Sequence, residues 1–325
     1  MANLVNSCIT NNYNGHFMKT TVKTKARHLL ELDAEEKRQF LDSFDLVLSD
    51  CDGVVWMLVD PIPNTGRAIM LLKNAGKQVK FISNNSLRSD EEYMTKFQNI
   101  GVADVRKTDL VHPVKTIMRY IQKNNLRQPF YSVCSREVNK VLTENGIKLV
   151  TMEANTNLTL PDLVPRVKPT VKVGAVIIDL NLNLTFGELA RAQQYLQAGD
   201  CPLLVGASDF LMPVSDNFVT IGPGGFIDML RKAGGTEPII LGKPGALLGE
   251  DLVELFGLKN KKRRALFIGD SLHSDIKFAK NCGFQTLFVL SGAGTLDEMM
   301  KLSDDSKPDY IADGLTDFIS FFESL

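Results

Sequence analysis

Phe44-Asp45-Leu46-Val47-Leu48-Ser49-Asp50-Cys51-Asp52-Gly53-Val54-Val55 is an apolar run that ends in two carboxylates and a glycine. The run lacks polar alternation, as expected of a strand covered on both faces of a parallel sheet. In open parallel sheets, ligands bind beyond the carboxyl ends of the strands. Asp50 and Asp52 therefore stand where chemistry is expected. Two carboxylates so placed repel each other unless a cation holds them. Oxygen ligands suit Mg²⁺, which takes few protein carboxylates and completes its shell with water and substrate phosphate. A polar strand-to-loop transition with acidic caps is the plainer reading, and DxDG alone does not separate the two.

Working outward, Asn64 to Ala75 reads as a helix with Asn64 as N-cap and Gly76 as its stop. Gln78 to Ser83 reads as a second strand and Ser89 to Ile100 as a helix capped by Ser89. This β-α-β-α order predicts a parallel sheet with helices on both faces. The alternation returns late, with strands at Pro238–Gly242, Arg264–Gly269, Gln285–Leu290 and Tyr310–Ala312 expected to join the first sheet. Between them, strands are expected at Phe130–Cys134, Ile147–Thr151, Ala175–Leu180 and Pro202–Val205, and a proline-rich surface loop at Asn155–Lys172. The expected organisation is a flexible extension over 1–32, a core over 33–106 and 238–325, and an inserted α/β domain over 107–237.

Three more strand ends carry polar groups. Ser83-Asn84-Asn85 could hold phosphate oxygens through the Ser83 hydroxyl and backbone N–H groups, or be a simple turn. In Leu241-Gly242-Lys243-Pro244, Lys243 offers a point charge for phosphate, or is a solvated lysine; Pro244 excludes a Walker A loop. In Gly269-Asp270-Ser271-Leu272-His273-Ser274-Asp275, Asp270 is a candidate metal ligand, and Asp275 a helix cap or an orienter of metal-bound water. Each signal is modest alone. The joint order Asp-x-Asp, Ser, Lys, Asp…Asp requires every plain reading to hold at once if it is accidental.

The 325 residues suit two domains, and the formal net charge of −1 offers no basic field for nucleic acid. The five cysteines (Cys8, Cys51, Cys134, Cys201, Cys282) form no CxxC pair, which points to a reducing compartment. No apolar run approaches the roughly 18–20 residues needed to span a bilayer. Lys19, Lys23, Lys25 and Arg27 precede the first acidic residue, a feature shared with transit peptides; the plainer reading is a disordered extension.

With DCDGVVW, FISNNS, LGKP and GDSLHSDI on the page, the chain resembles the haloacid-dehalogenase (HAD) superfamily of phosphatases, in the branch of phosphoglycolate phosphatase, pyridoxal phosphatase (chronophin) and the 4-nitrophenylphosphatases. The resemblance runs from about Ser43 to the C-terminus. It implies a Rossmann-like parallel-sheet core with an inserted α/β C2-type cap. It implies Asp50 as nucleophile and Mg²⁺ ligand, Asp52 as general acid/base and backbone ligand, and Asp270 as a further ligand supported by Asp275. Ser83, Asn84, Asn85 and Lys243 are implied to bind phosphate. The implied protein pairs as a homodimer through the cap and acts on a small phosphorylated metabolite, first of all 2-phosphoglycolate; with the reducing compartment read from the cysteines, the expected location is cytoplasmic. Pyridoxal phosphate, phosphoproteins and aryl phosphates are the alternatives, and an inactive scaffold on the same fold is a further one. Met212 stands where pyridoxal phosphatase carries a histidine, which weakens that assignment. Phe210, Leu211 and Met212 are candidates to line the substrate pocket, or else cap core.

Overall fold

The computed structural model describes residues 26–153, 158–199, 201–215 and 218–325. In chain order the first strands are β1 (Arg27–His28), β2 (Leu46–Ser49), β3 (Gln78–Ile82) and β4 (Leu110–Val111). Then come β5 (Phe130–Ser132), β6 (Leu149–Val150), β7 (Val176–Ile178), β8 (Leu203–Val205), β9 (Leu211–Ser215), β10 (Phe218–Ile221) and β11 (Pro238–Ile240). The last are β12 (Ala265–Gly269), β13 (Gln285–Val289) and β14 (Tyr310–Ala312). A core sheet runs β1-β14-β13-β12-β2-β3-β4, and the inserted cap has a sheet ordered β11-β8-β7-β5-β6. Every pairing in these two sheets is parallel. β9 and β10 form a separate antiparallel hairpin.

Period-two geometry explains why the central strands are apolar throughout. Val47, Leu266 and Ile268 point into one core cluster, while Leu46, Leu48 and Phe267 point into another on the opposite face. The cap repeats the scheme, with Tyr131, Val176 and Leu203 on one side and Phe130, Ile177 and Leu204 on the other. Helix Asp90–Asn99 starts as its sequence predicts: the Ser89 hydroxyl accepts from Glu92 N, and the Glu92 carboxylate accepts from Ser89 N. Helix Thr65–Asn74 differs at its start, since Asn64 sits in the left-handed region (φ 64°) with no side-chain cap bond.

Several expectations are corrected. Pro238–Ile240 joins the cap sheet, not the core: it pairs with β8, and Leu241 N and Gly242 N go on to donate to Val205 O and Gly206 O. Leu110–Val111, placed in the insert by the sequence reading, is the far edge of the core sheet beside β3. The insert therefore begins after β4 and ends after β11. Arg27–His28, assigned to the flexible extension, pairs with β14, and Ala26, Leu29 and Leu32 are buried beside it; the basic stretch up to Lys25 lies outside the described residues. Leu160–Val167 is a helix within the expected loop, with Pro161 in its first turn, where a missing N–H is tolerated. A strand's sheet is set by remote pairing, which a short apolar run does not encode.

Helix Asp317–Glu323 closes the core through Phe318, which is fully buried and packs with Phe40 and Phe321. Phe318→Ala is expected to cost about 3–5 kcal/mol. Urea unfolding of parent and variant checks this, and a loss under 1 kcal/mol would show that the C-terminal helix does not anchor the core.

Candidate active site

β2 lies between β12 and β3, and the register Ile268↔Ser49 and Ser49↔Phe81 aligns the ends of the three strands. Asp50 follows β2, Asp270 follows β12 and Ser83 follows β3 at one rim of the core sheet. β3 lies on one side of β2 and β12 on the other, so the chain leaves this point in opposite directions. Such a reversal opens a crevice at the strand ends.

Lys243 reaches the rim from the cap sheet, immediately after β11. Its side chain is 1% exposed, and its ammonium lies 2.7 Å from Asp50 Oδ1 and 2.7 Å from Asp275 Oδ1. Asp275 turns its other oxygen to the Ser271 N–H, at 3.0 Å. Burial pushes the Asp50 carboxyl well above the usual range; Lys243 opposes the rise, while Asp275 and Asp270 add to it. Asp270 is raised for the same two reasons, burial first and then Asp275. Burial alone would lower the Lys243 ammonium, but the two carboxylates raise it instead.

Oxygens of Asp50, Asp270 and Asp275 all lie within 4.8 Å of one another. One lysine among three buried carboxylates leaves an excess of negative charge, which a proton or a further cation relieves. An all-oxygen donor set of this kind fits a hard divalent cation.

Two glycines make room for the cluster. Gly53 has φ +87°, and a Cβ there would lie 2.3 Å from Asp270 Oδ2. A Cβ on Gly292 would lie 2.0 Å from the same oxygen, which accepts a hydrogen bond from Ala293 N at 2.6 Å. Asp275 belongs to a π-helical turn, Leu272–Ile276, which sets its carboxylate below Lys243. Such turns recur at functional sites.

Asp52 is held differently. Arg88 Nη1 donates to its Oδ1 at 2.9 Å, and Asn85 Nδ2 donates to its Oδ2 at 3.1 Å. Arg88 Nη2 also donates to the Leu58 carbonyl, and the guanidinium lies 5.7 Å from the Tyr93 ring centroid. Sequence reasoning missed Arg88; the available signal was a basic residue between the Ser83 strand end and the Ser89 helix cap. Ser83, an expected phosphate binder, is buried away from the cleft. Its hydroxyl lies 2.8 Å from Tyr93 Oη and accepts from Asn85 N at 3.0 Å. Asn84 is a clamp: Oδ1 accepts from Lys243 N at 2.8 Å, while Nδ2 donates to Lys243 O and to Asp209 of the cap, each at 2.9 Å.

Core and cap together line a cleft over Asp50, Asp52, Asn84, Asn85, Lys243 and Asp270. Of the cap candidates, Leu211 and Met212 line it. Phe210 does not: it lies in a separate depression with Ile227 and Arg231, and packs on Gly224.

The haloacid dehalogenase-like hydrolase family model matches residues 47–148, and a HAD-hydrolase-like model matches residues 240–318. A 4-nitrophenylphosphatase of Schizosaccharomyces pombe is 31% identical over 288 residues, 86% of this chain and 95% of its own length. Phosphoglycolate phosphatase 2 of Arabidopsis thaliana is 26% identical, over 90% of this chain and 98% of its own. A glycerol phosphate phosphatase of Mycobacterium tuberculosis, solved in complex with magnesium, shares the fold at TM-score 0.66 and 21% identity, over 86% of this chain and 77% of its own. With family-model matches, similar sequences and fold in agreement over both halves of the core, this chain belongs to the haloacid dehalogenase-like hydrolases, among their phosphoric monoester hydrolases.

Proposed function

We propose that the protein is a Mg²⁺-dependent phosphatase that hydrolyses small phosphate monoesters through a phosphorylated Asp50. The observation that carries this is the buried cluster of Asp50, Asp270 and Asp275 around Lys243 at one strand-end rim. Mg²⁺ would be held by the Asp50 and Asp270 carboxylates and the Asp52 carbonyl, with Asp275 beside them. When bound, it neutralises charge on the phosphoryl oxygens and orients them. Lys243 fixes one Asp50 oxygen and lowers the repulsion between carboxylate and phosphate dianion. Asp50 attacks phosphorus, a bond from its oxygen to phosphorus forms, and the ester bond breaks toward the alcohol oxygen. Asp52 delivers a proton to that oxygen as it leaves. Water then attacks the phosphorus, Asp52 takes its proton, and the bond to Asp50 breaks, releasing inorganic phosphate. Asn85 and Arg88 orient Asp52 through both halves of the cycle.

Asp50, Lys243 and Asp270 face the phosphoryl group, which 2-phosphoglycolate, pyridoxal phosphate and 4-nitrophenyl phosphate share, so these residues do not separate the three. Cap pairing into a homodimer is also proposed. Leu160 and Phe186 support it, being 82% and 71% exposed around one surface depression of the cap. The cytoplasm is the proposed compartment, on the buried, unpaired thiols of Cys51, Cys134 and Cys282. Among the described residues, no helix is long and apolar enough to cross a membrane.

With Mg²⁺ the protein is expected to release nitrophenolate from 4-nitrophenyl phosphate, to stop in EDTA, and to lose on the order of 10³-fold or more in kcat as Asp50→Asn. Parental turnover in Asp50→Asn would remove the nucleophile assignment, and turnover in EDTA would remove the metal. Arg88→Ala is expected to lower kcat by about 10²-fold with little change in KM, and Arg88→Lys to recover part of the loss. An unchanged kcat in Arg88→Ala would end the positioning role. Light scattering is expected to give twice the chain mass for the parent and the single-chain mass for Phe186→Glu; a monomeric parent would refute the homodimer.

A further inference from the structure

We propose that the site selects phosphate esters with an apolar, uncharged leaving group and discriminates against leaving groups that carry a carboxylate. The proposal rests on the phosphatase reading for which end of the substrate faces the core. The cleft wall above the reacting groups is made by Leu180, Leu211, Met212 and Pro223 of the cap and by Leu58 of the core. Leu180 follows β7, Leu211 and Met212 lie on β9, and Pro223 opens helix Gly224–Gly234. The leaving group, which projects away from Asp50, meets this wall.

The ionisable groups of the lining make the same point. They are the acids Asp50, Asp52, Asp209 and Asp270, with Lys243 as the one cation among the described lining residues. Lys243 is paired with both Asp50 and Asp275, and its side chain is 1% exposed. The neighbouring cation, Arg88, is not among the lining residues, and its guanidinium is paired with Asp52 and the Leu58 carbonyl. Asp209, the nearest cap residue of opposite character to the wall, is a carboxyl whose Oδ2 already accepts from Asn84.

A carboxylate on the leaving group would thus leave water with no unpaired cation among the described lining residues to meet it and acids nearby, a costly transfer. An apolar ring or alkyl group would instead gain about 25 cal/mol per Å² of surface buried on the same wall. 2-Phosphoglycolate, the substrate first implied by the sequence resemblance, carries such a carboxylate.

The test compares 4-methylphenyl phosphate with 4-carboxyphenyl phosphate, esters of nearly equal size that differ in charge, alongside 2-phosphoglycolate. The carboxylated phenol is the better leaving group, so intrinsic reactivity runs against the proposal. The parent is expected to favour the methyl ester by at least about tenfold in kcat/KM. Met212→Lys, which places an ammonium on the wall, is expected to shift that ratio toward the carboxy ester by about tenfold. Equal or reversed preference in the parent, or an unchanged ratio in Met212→Lys, would overturn the proposal. Thermal protection of the Asp50→Asn protein by each ester gives a readout without turnover, with larger protection expected from the methyl ester. No turnover of any ester, with that binding order kept, would sink the phosphatase reading and leave the selectivity standing. Turnover with 2-phosphoglycolate as the best substrate would do the reverse.

Discussion

The structure turns on the ammonium of Lys243, buried between Asp50 and Asp275 at 2.7 Å from each. Taking a lysine and two carboxylates out of water is expensive, and only close pairing offsets it. That pairing explains the arrangement around it. Asp50 follows an interior strand of one sheet, Asp275 lies in a π-helical turn after that strand's neighbour, and Lys243 is on a chain segment leaving the other sheet. The ion cluster thus ties the core to the point where the cap re-enters it. Asn84 completes the tie by bonding both backbone groups of Lys243 and the cap carboxylate of Asp209.

The same cluster sets strict steric terms on its surroundings. Gly53 and Gly292 stand where any Cβ would occupy the space of the Asp270 carboxylate. Interiors this close-packed cannot shift to absorb a methyl group without moving the charges. The glycine of the DxDG run is therefore as much a part of the site as its two aspartates. Charge arrangement and packing converge on one geometry, and the surplus of carboxylates over lysine fits the divalent cation proposed for the site.

Above this polar floor the cap supplies a wall of another kind. Leu180, Leu211, Met212 and Pro223 have no charge to offer, and Arg88 is spent on Asp52. Under the proposed function the division of labour is physical: the core would handle a phosphoryl group by electrostatics, and the cap would sort what is attached to it by shape and hydration. Phe210 illustrates how finely this depends on the backbone. One residue before Leu211, it faces a different depression, on Gly224.

Local sequence determined the buried strands, the Ser89 capping box, and the order of polar groups at the strand ends, because apolar period and cap chemistry act over a few residues. It also pointed to Asp50, Asp52, Lys243, Asp270 and Asp275 as one group. Only the tertiary structure decided that Pro238–Ile240 belongs to the cap sheet and Leu110–Val111 to the core, that Arg27–His28 closes an edge, and that Ser83 bonds Tyr93 while Arg88 takes Asp52. These are pairings between remote segments. A three-residue apolar run satisfies either sheet, and an arginine satisfies any carboxylate within reach, so the outcome depends on where the folded chain brings them.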